Sequence, residues 1–509
     1  EKRGKMASKS FSKFLAYFYR VLLRRLRSAH ATHIRFQKWP PLPDKLSGQT
    51  VVCHMEGGLL RSSSIFPYFM LVALEAGGFF RALLLLLLCP VIACLGHEMR
   101  LRIMVVVCFC GLRKEKFELG RTVLPKFFLE DVGMEGFEIL SRSQRKVCVS
   151  SMPTVMVEGF LREYLEVEVA VGRELKVFGG YYTGLMEKDG VASKVLSGTE
   201  KAREDDVIGF GGYPSSVRHP LFSHCKEVYL VSEADKRKWR VLPRTEYPKP
   251  LVFHDGRIAF RPTPTSTLCM FLWIPLAFLL AFARAAIFIF LPYSFSVPLL
   301  CFTGMHSRVI TSSRSHQAER RQLYISNHRT LLDPLCISAA LGHHVTATTY
   351  SVSRISEMLS PIRTVRLTRN REQDKGLMKK LLREGALVVC PEGTTCREPY
   401  LIRFSPLFAE VSEDVVPVAL ESHVSMFYGT STSKLKFLDP LCFLMNPFPR
   451  YVVQFMEKVA TGWIGGNKCS SCEIANHLQG EIGKLLGFEC TSFTRRDKYL
   501  MLASNDGSI

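Results

Sequence analysis

Apolar residues in this chain gather into short runs that end at glycine, proline or a polar side chain, the pattern of strands buried on both faces. Val51–Cys53, Lys146–Ser150, Val207–Gly212 and Val228–Val231 fit it in the first half, and Gln322–Ser326, Val365–Leu367, Leu387–Cys390 and Val415–Ala419 repeat it in the second. Helix-length stretches separate the runs. Strands alternating with helices predict parallel sheets, so the expected fold class is α/β, with two α/β domains at residues 45–262 and 306–490.

Three stretches depart from this rhythm. No acidic residue occurs from Lys9 to Leu42, while Phe11, Phe14, Leu15, Phe18, Val21 and Leu22 recur at helical spacing beside Arg20, Arg24, Arg25 and Arg27. Residues 1–44 therefore read as a basic amphipathic segment, either a membrane-surface anchor or a mitochondrial presequence. Phe66 to Leu112 is apolar but interrupted at Glu75, Arg81 and His97–Arg102. Its leucine run, Ala82–Leu95, is too short to cross a bilayer, which suits a re-entrant or lipid-dipping insertion or a buried core helix. Leu268–Leu291 is almost unbroken apolar sequence, with Pro275 and a single charge, Arg284. A mid-segment arginine costs about 2.5–3.5 kcal/mol on insertion scales. Because Pro292 and Pro298 interrupt the run that continues to Phe302, a bent or re-entrant helix pair within 263–305 is expected, with a single span as the alternative. Residues 491–509 read as a tail.

Composition narrows the partners. The 509 residues carry a formal charge of +21 with 47% hydrophobic residues and a mean hydropathy of +0.10. Basic residues set among apolar segments favour anionic partners such as a membrane surface, phosphorylated substrates or coenzyme A. No nucleic-acid-binding motif accompanies them, so nucleic acid is not an expected partner. Sixteen scattered cysteines suggest reduced thiols. Cys469-Ser-Ser-Cys472, with His477 nearby, lacks the second ligand pair that a zinc site needs.

Candidate chemistry lies in four pieces of the second domain. His328 and Asp333 enclose four residues after a short apolar strand. A carboxylate on one imidazole nitrogen fixes the tautomer, so the other nitrogen can take a proton from a hydroxyl. This is a serine-hydrolase triad without its serine, and the nucleophile would be a substrate alcohol. Taken alone, the pair equally suits a loop histidine capping a helix. The second piece is Val365-Arg-Leu-Thr-Arg-Asn-Arg371, a strand leading into guanidinium groups whose forks suit phosphate, though a solvated basic face would look the same. Third is Cys390-Pro-Glu-Gly-Thr-Thr-Cys-Arg397, a strand end and turn able to expose backbone N–H groups. The fourth, Val415-Val-Pro-Val-Ala-Leu420, is an apolar strand that could wall an acyl or pantetheine chain.

In this order and spacing, NHRTLLD, RLTRNR, PEGTT and VVPVAL resemble the four blocks of the glycerolipid acyltransferases, a PlsC-type domain. NHRTLLDP together with CPEGTTCREPYLIRFS is more narrowly similar to the land-plant sn-2 glycerol-3-phosphate acyltransferases, which join this domain to a haloacid-dehalogenase-like (HAD-like) phosphatase domain. The resemblance implies His328 as general base and Asp333 as its orienter. It places the acceptor phosphate on Arg369 and Arg397, with Arg371 a further candidate. Glu392, Gly393 and Thr394 would shape the acceptor pocket, and a purely structural hydrogen-bonding role for Glu392 fits equally. Acyl-coenzyme A and glycerol 3-phosphate are the implied substrates, with neither metal nor redox cofactor. A membrane of the endoplasmic reticulum is the implied location, mitochondria the alternative, and extracellular polymers such as cutin, suberin or pollen-wall material the implied destination.

The first domain departs from its family pattern. HAD-type phosphatases end their first strand in Asp-x-Asp, with further aspartates on a late Gly-Asp loop completing a Mg²⁺ site. Here His54 and Glu56 stand at the two first-strand positions, Ser150 keeps the phosphate-contacting hydroxyl, and the late loop offers Gly212 and Ser216 without a carboxylate. A fold kept without phosphatase chemistry is expected, so the product would retain its phosphate. Two other readings remain at this point: the same chemistry on a lysophosphatidic acid acceptor, and a non-catalytic lipid-binding scaffold.

Overall fold

The computed structural model describes residues 35–39, 48–187, 207–212, 222, 225–311, 321–350, 357–358, 360–432, 435–464 and 467–505. The Phe11–Arg27 amphipathic pattern and Ser216 lie outside the described residues. The chain divides into two compact units, residues 1–65, 128–177 and 185–249 forming one, and 66–127, 178–184 and 250–509 the other. The apolar stretch 66–127, counted with the first domain by sequence order, thus clusters with the second unit, as do the 263–305 helices.

The first unit is built on a parallel six-stranded sheet of β1 (Arg35–Lys38), β2 (Thr50–His54), β3 (Arg145–Pro153), β4 (Val169–Arg173), β5 (Val207–Gly212) and β6 (Glu227–Val231). Its order is β1-β6-β5-β2-β3-β4. The four expected strands of this half are all present, and Val52, Val149, Val171 and Val228 pack into one core. From β2 the chain first pairs with β3 on one side and later with β5 on the other. A reversal of this kind opens a crevice at the carboxyl end of the strand, where α/β sheets carry their ligands. One π-helical turn, Met55–Leu59, follows β2 directly. A Cβ on Gly57 would stand 2.2 Å from the Gly212 nitrogen, so the two backbones can meet there only through glycine.

The second unit holds a mixed sheet of β7 (His306–Thr311), β8 (Leu323–Ser326), β9 (Thr346–Thr349), β10 (Arg363–Arg366), β11 (Leu387–Val389), β12 (Asp414–His423) and β13 (Arg450–Phe455). Its main path runs β10-β9-β11-β8-β12-β13-β7. Strand β8 sits centrally, paired in parallel with β11 and β12, and Leu323, Ile325, Leu387, Val415 and Ala419 anchor the core beneath it. Fully buried apolar strands on both sides fix the register and hold the carboxyl end of β8 rigidly.

Helices of this unit explain the long apolar stretches. In α1 (Phe66–Glu75) eight of the ten residues are buried. By contrast α2 (Phe79–Leu87) buries only Ala82 and Leu85, leaving Phe79, Phe80, Leu83, Leu84 and Leu87 exposed. Helix α3 (Pro264–Phe290) spans 27 residues and is, among the described residues, the one helix long and apolar enough to cross a membrane. At 1.5 Å per residue it reaches about 40 Å, more than a bilayer's hydrocarbon core. The chain then breaks at Leu291–Pro292 before the short α4 (Tyr293–Phe302), giving two helices where a pair was expected. Arg284 is fully buried. Its guanidinium donates to the carbonyls of Leu444 (2.7 Å), Asn446 (2.6 Å), Pro447 (3.0 Å) and Thr303 (2.5 Å), so the charge is spent on protein backbone. Four further helices frame the site: α5 (Asp333–Leu341), α6 (Arg371–Glu384), α7 (Ser471–Leu486) and α8 (Arg495–Ala503).

Candidate active site

Strand β8 ends at Ser326 and leads directly into Asn327 and His328, which contacts to three segments lock in place. The Asn327 side chain donates to the Leu420 carbonyl (2.9 Å) and accepts from the Leu420 nitrogen (2.7 Å), tying it to β12. The His328 nitrogen donates to Glu392 Oε1 at 2.7 Å, and its carbonyl accepts from Cys396 N at 2.9 Å. Glu392 Oε2 meanwhile accepts from Ile402 N at 2.9 Å. Glu392 is therefore a strut between two backbones. Burial raises its pKa to about 7 against the pull of those two hydrogen bonds.

Asp333 opens α5, where the helix dipole favours a negative charge. It is fully buried, and His328 Nδ1 lies 2.9 Å from its Oδ2. The carboxylate also accepts from Arg329 N (2.5 Å), Thr330 N (2.9 Å), Thr330 Oγ1 (3.0 Å) and the Tyr451 hydroxyl (3.0 Å). A carboxylate so heavily bonded is held in place, and its contact with Nδ1 makes that nitrogen the donor and leaves Nε2 as the basic one. Burial works against the imidazolium, but the Cys390 sulfur beside the ring and the Asp333 carboxylate outweigh it, raising the His328 pKa well above 6.5. Arg329 packs the loop from behind, donating to the carbonyls of Cys396 (2.8 Å), Glu398 (2.7 Å) and Arg397 (2.5 Å).

His328 lines a cavity of about 130 Å³ together with Leu331, Cys390, Gly393, Thr394, Arg495 and Lys498. A second, more open cavity of about 510 Å³ is lined by Arg369, Arg371, Arg403, Arg495 and Arg496. Tyr350, Pro391, Gly393, Ser405, Leu407 and Arg495 line both, so the basic cavity is a vestibule to the histidine. This is a cation-lined space, suited to an anionic substrate, beside the His–Asp pair.

The other expected residues divide. Arg369 sits in the vestibule wall on a left-handed residue (φ 69°), its nitrogen held 3.0 Å from Asp374 Oδ2. Arg371 also lines the vestibule but pairs with Glu410. Gly393 takes φ 65°, the conformation for which the turn needs glycine. Thr394 lies in the cavity wall. Arg397 lines neither cavity. Its guanidinium donates to Thr430 Oγ1 (2.7 Å) and the Thr430 carbonyl, lies 3.5 Å from Asp255 and stacks 4.3 Å over the Tyr428 ring. Arg495, Lys498 and Tyr451 were not read from the sequence. Segment 491–509, read as a tail, instead contributes α8 to the cavity wall.

In the first unit, the Glu56 carboxylate fills a cradle of donors near the carboxyl end of β3. Its Oε1 accepts from Ser150 Oγ (2.6 Å), Ser151 N (2.9 Å) and Met152 N (3.3 Å), while Oε2 lies 3.5 Å from His54 Nε2. Buried Lys236 donates to the Glu56 carbonyl at 2.6 Å. A hard divalent cation asks for about six oxygen ligands. One carboxylate already bonded to its neighbours, an imidazole and the side-chain-free Gly212 do not fit the Mg²⁺ of HAD-type phosphatases.

Two family models match the chain: a RAM2-like glycerol-3-phosphate acyltransferase HAD-like domain at residues 50–231 and an acyltransferase domain at residues 307–421. The chain is 50% identical to probable glycerol-3-phosphate acyltransferase 3 of Arabidopsis thaliana, covering 98% of both chains. It is 46% identical to glycerol-3-phosphate acyltransferase 1 of the same plant, covering 90% of this chain and 82% of that one. With glycerol-3-phosphate acyltransferase RAM2 of Petunia hybrida it shares 40% identity over 89% of this chain and 97% of that one. Among solved structures, the PlsC acyltransferase of Thermotoga maritima aligns with 38% of this chain and 76% of its own at 11% identity, with a TM-score of 0.27, too slight a likeness to argue from.

Proposed function

Because the chain belongs to the glycerol-3-phosphate acyltransferase family, we propose that it moves an acyl group from acyl-coenzyme A to a hydroxyl of glycerol 3-phosphate. One observation carries the reading: His328, bonded at Nδ1 to a buried aspartate, faces a cavity that opens into an arginine-lined vestibule. His328 Nε2 takes the proton of the glycerol hydroxyl as its oxygen attacks the thioester carbonyl. The C–S bond breaks as the tetrahedral intermediate collapses, and the imidazolium returns the proton to the departing coenzyme A sulfur. Asp333 holds the ring and stabilises the transient imidazolium, as in a hydrolase triad whose nucleophile arrives with the substrate.

The product is a lysophosphatidic acid acylated at sn-2, by the family resemblance, with its phosphate retained. Supporting retention, Glu56 fills the phosphate cradle of the HAD-like unit, and its first-strand positions carry His54 and Glu56. A membrane seat is supported by the exposed aromatic and aliphatic faces of α2 and α3. By resemblance that membrane is the endoplasmic reticulum and the product feeds extracellular lipid polymers.

The test is mass spectrometry of the product made by purified protein from glycerol 3-phosphate and a panel of acyl-coenzyme A donors. The expected result is a phosphate-bearing 2-acyl product, no equivalent release of inorganic phosphate, and no transfer by His328→Ala. A marked preference for lysophosphatidic acid as acceptor, or full activity in the alanine variant, would reject the proposal.

A further inference from the structure

The matched acyltransferase domain ends at residue 421, yet the wall around His328 is completed by a helix that begins more than seventy residues later. Helix α8 is anchored at both ends of its first turn. Thr494 and Asp497 form a capping box, with Thr494 N and Oγ1 each 2.7 Å from Asp497 Oδ2, which sets the direction in which Arg495 leaves the helix. One turn on, buried Lys498 donates to the Thr395 carbonyl (2.6 Å), to Thr395 Oγ1 (3.1 Å) and to Thr394 Oγ1 (3.4 Å). The helix is thereby fastened to the Gly393–Thr395 turn, which itself lines the cavity. Three bonds in a buried site place α8 as firmly as the strands beneath it.

In that setting Arg495 has a position that no other cation shares. Among the described residues, the inner cavity is lined by His328, Lys436, Arg495 and Lys498, and the vestibule by Arg369, Arg371, Arg403, Arg495 and Arg496. Only Arg495 lines both. Arg397, which the family pattern assigns to phosphate, reaches neither and is engaged with Thr430, Asp255 and Tyr428. Burial lowers the pKa of Arg495; Tyr499 opposes that, and the positive charge of Arg369 adds to it. Two guanidinium groups close enough to disfavour one another are relieved by an anion held between them.

Building on the proposed function, we infer that Arg495, with Arg369 across the vestibule, holds the phosphate of the acceptor, and that Arg397 is a positioning residue for the loop behind the site. A phosphate gripped where the two cavities meet directs the glycerol carbons inward toward His328 and leaves the vestibule's outer arginines to the solvent side. The guanidinium fork suits two phosphate oxygens at once, which a lysine ammonium cannot match. Selectivity for a phosphorylated acceptor would then reside on the C-terminal helix.

Steady-state kinetics on the full-length chain test this, with Arg495→Gln and Arg495→Lys measured beside the unaltered protein. KM for glycerol 3-phosphate is expected to rise by about tenfold to a hundredfold in the glutamine variant, the factor carried by a charge-assisted hydrogen bond, and by less in the lysine variant. KM for acyl-coenzyme A stays where it was, and the preference for glycerol 3-phosphate over glycerol falls. The lysine variant, which keeps the charge, keeps the test decisive if the glutamine variant does not fold. A rise in KM for acyl-coenzyme A instead would place the coenzyme's phosphates on Arg495 and overturn the inference. So would an unchanged KM for glycerol 3-phosphate in both variants. If the unaltered protein makes no product from glycerol 3-phosphate, the proposed function fails first, and that outcome is separate from a variant indistinguishable from an active parent.

Discussion

Replacing Asp333 with asparagine changes one carboxylate oxygen for an NH₂ group and leaves the shape of the side chain. The consequences follow from the groups that surround it: His328 Nδ1, two backbone nitrogens, the Thr330 hydroxyl and the Tyr451 hydroxyl. All of these can donate, and an asparagine NH₂ cannot accept from any of them. Either the amide turns its NH₂ toward His328 and forces the wrong tautomer, or it turns it toward the backbone and leaves buried donors unpaired. The first outcome is the one that costs about 10⁴ in turnover in serine-hydrolase triads, or roughly 5.4 kcal/mol of transition-state stabilisation at 1.36 kcal/mol per tenfold. The second costs on the order of 3 kcal/mol in stability. The pH profile separates an orienting carboxylate from a merely structural one. Because the His328 pKa is raised and the base must be neutral, kcat/KM of the parent climbs with pH until that raised pKa is passed. Asparagine removes the carboxylate that favours the imidazolium, so the rising limb should move to lower pH while the plateau drops. Initial rates with glycerol 3-phosphate across that range, on protein whose melting is followed in parallel, read both effects. A variant that keeps a tenth of parental turnover, or whose limb does not move, would refute the role given to the aspartate.

Two other outcomes follow from the same accounting. In the HAD-like unit, Glu56→Ala should vacate the cradle of Ser150 Oγ, Ser151 N and Met152 N, so that millimolar inorganic phosphate raises the melting temperature of the variant and not of the parent; equal shifts in both proteins would dismiss the idea that Glu56 fills an anion site. Arg284→Leu should strip four carbonyls, two of them buried and two half-buried, of their donor and destabilise the detergent-solubilised protein by up to about 4 kcal/mol, counting roughly 1 kcal/mol for each, and a melting curve that overlays the parent's would show that the arginine does not hold α3.

Much of the architecture was legible because it depended on local pattern. Strands β2, β5, β8 and β12 are apolar runs with a glycine, asparagine or acidic residue at their borders, and burial on both faces leaves such runs little alternative. Strand β7, His-Ser-Arg-Val-Ile-Thr, was not legible, since it lies at the end of the sheet path with most of its residues exposed and has no buried face to imprint a pattern. The His328–Asp333 pair was legible because its two members lie five positions apart at one strand end. The role of Arg397 was not. Its partners, Asp255 and Thr430, sit 142 and 33 positions away, and only the fold brings them together. Arg495 and Lys498 were hidden for a different reason: two cations on a polar-looking helix read as a solvated face, and nothing local reveals that Lys498 points into protein. Arg284 stood out as a charge in an apolar run, but the carbonyls that accept from it lie more than 150 positions away or in the next helix's end, where no local pattern reveals them.

The two units place a carboxylate at the same kind of position and draw opposite chemistry from it. In each, a central strand delivers a histidine at its carboxyl end, His54 as the last residue of β2 and His328 two residues beyond β8, with an acidic residue in the turn or helix that follows. What differs is where the acid's oxygens are spent. Asp333 takes backbone and hydroxyl donors from its own loop and from Tyr451, and with the remaining contact it polarises a ring that faces open volume. Glu56 spends Oε1 on the hydroxyl and nitrogens of the neighbouring β3, and Gly57 meets Gly212 so closely that little room is left beside it. A buried carboxylate is costly unless its lone pairs are satisfied; Asp333 has hydrogen-bond donors on both oxygens, whereas Glu56 Oε2 has, among the described residues, only the His54 ring at 3.5 Å. In the acyltransferase unit this leaves a base beside an arginine-lined cavity, and the proposed acyl transfer is accordingly placed in that unit.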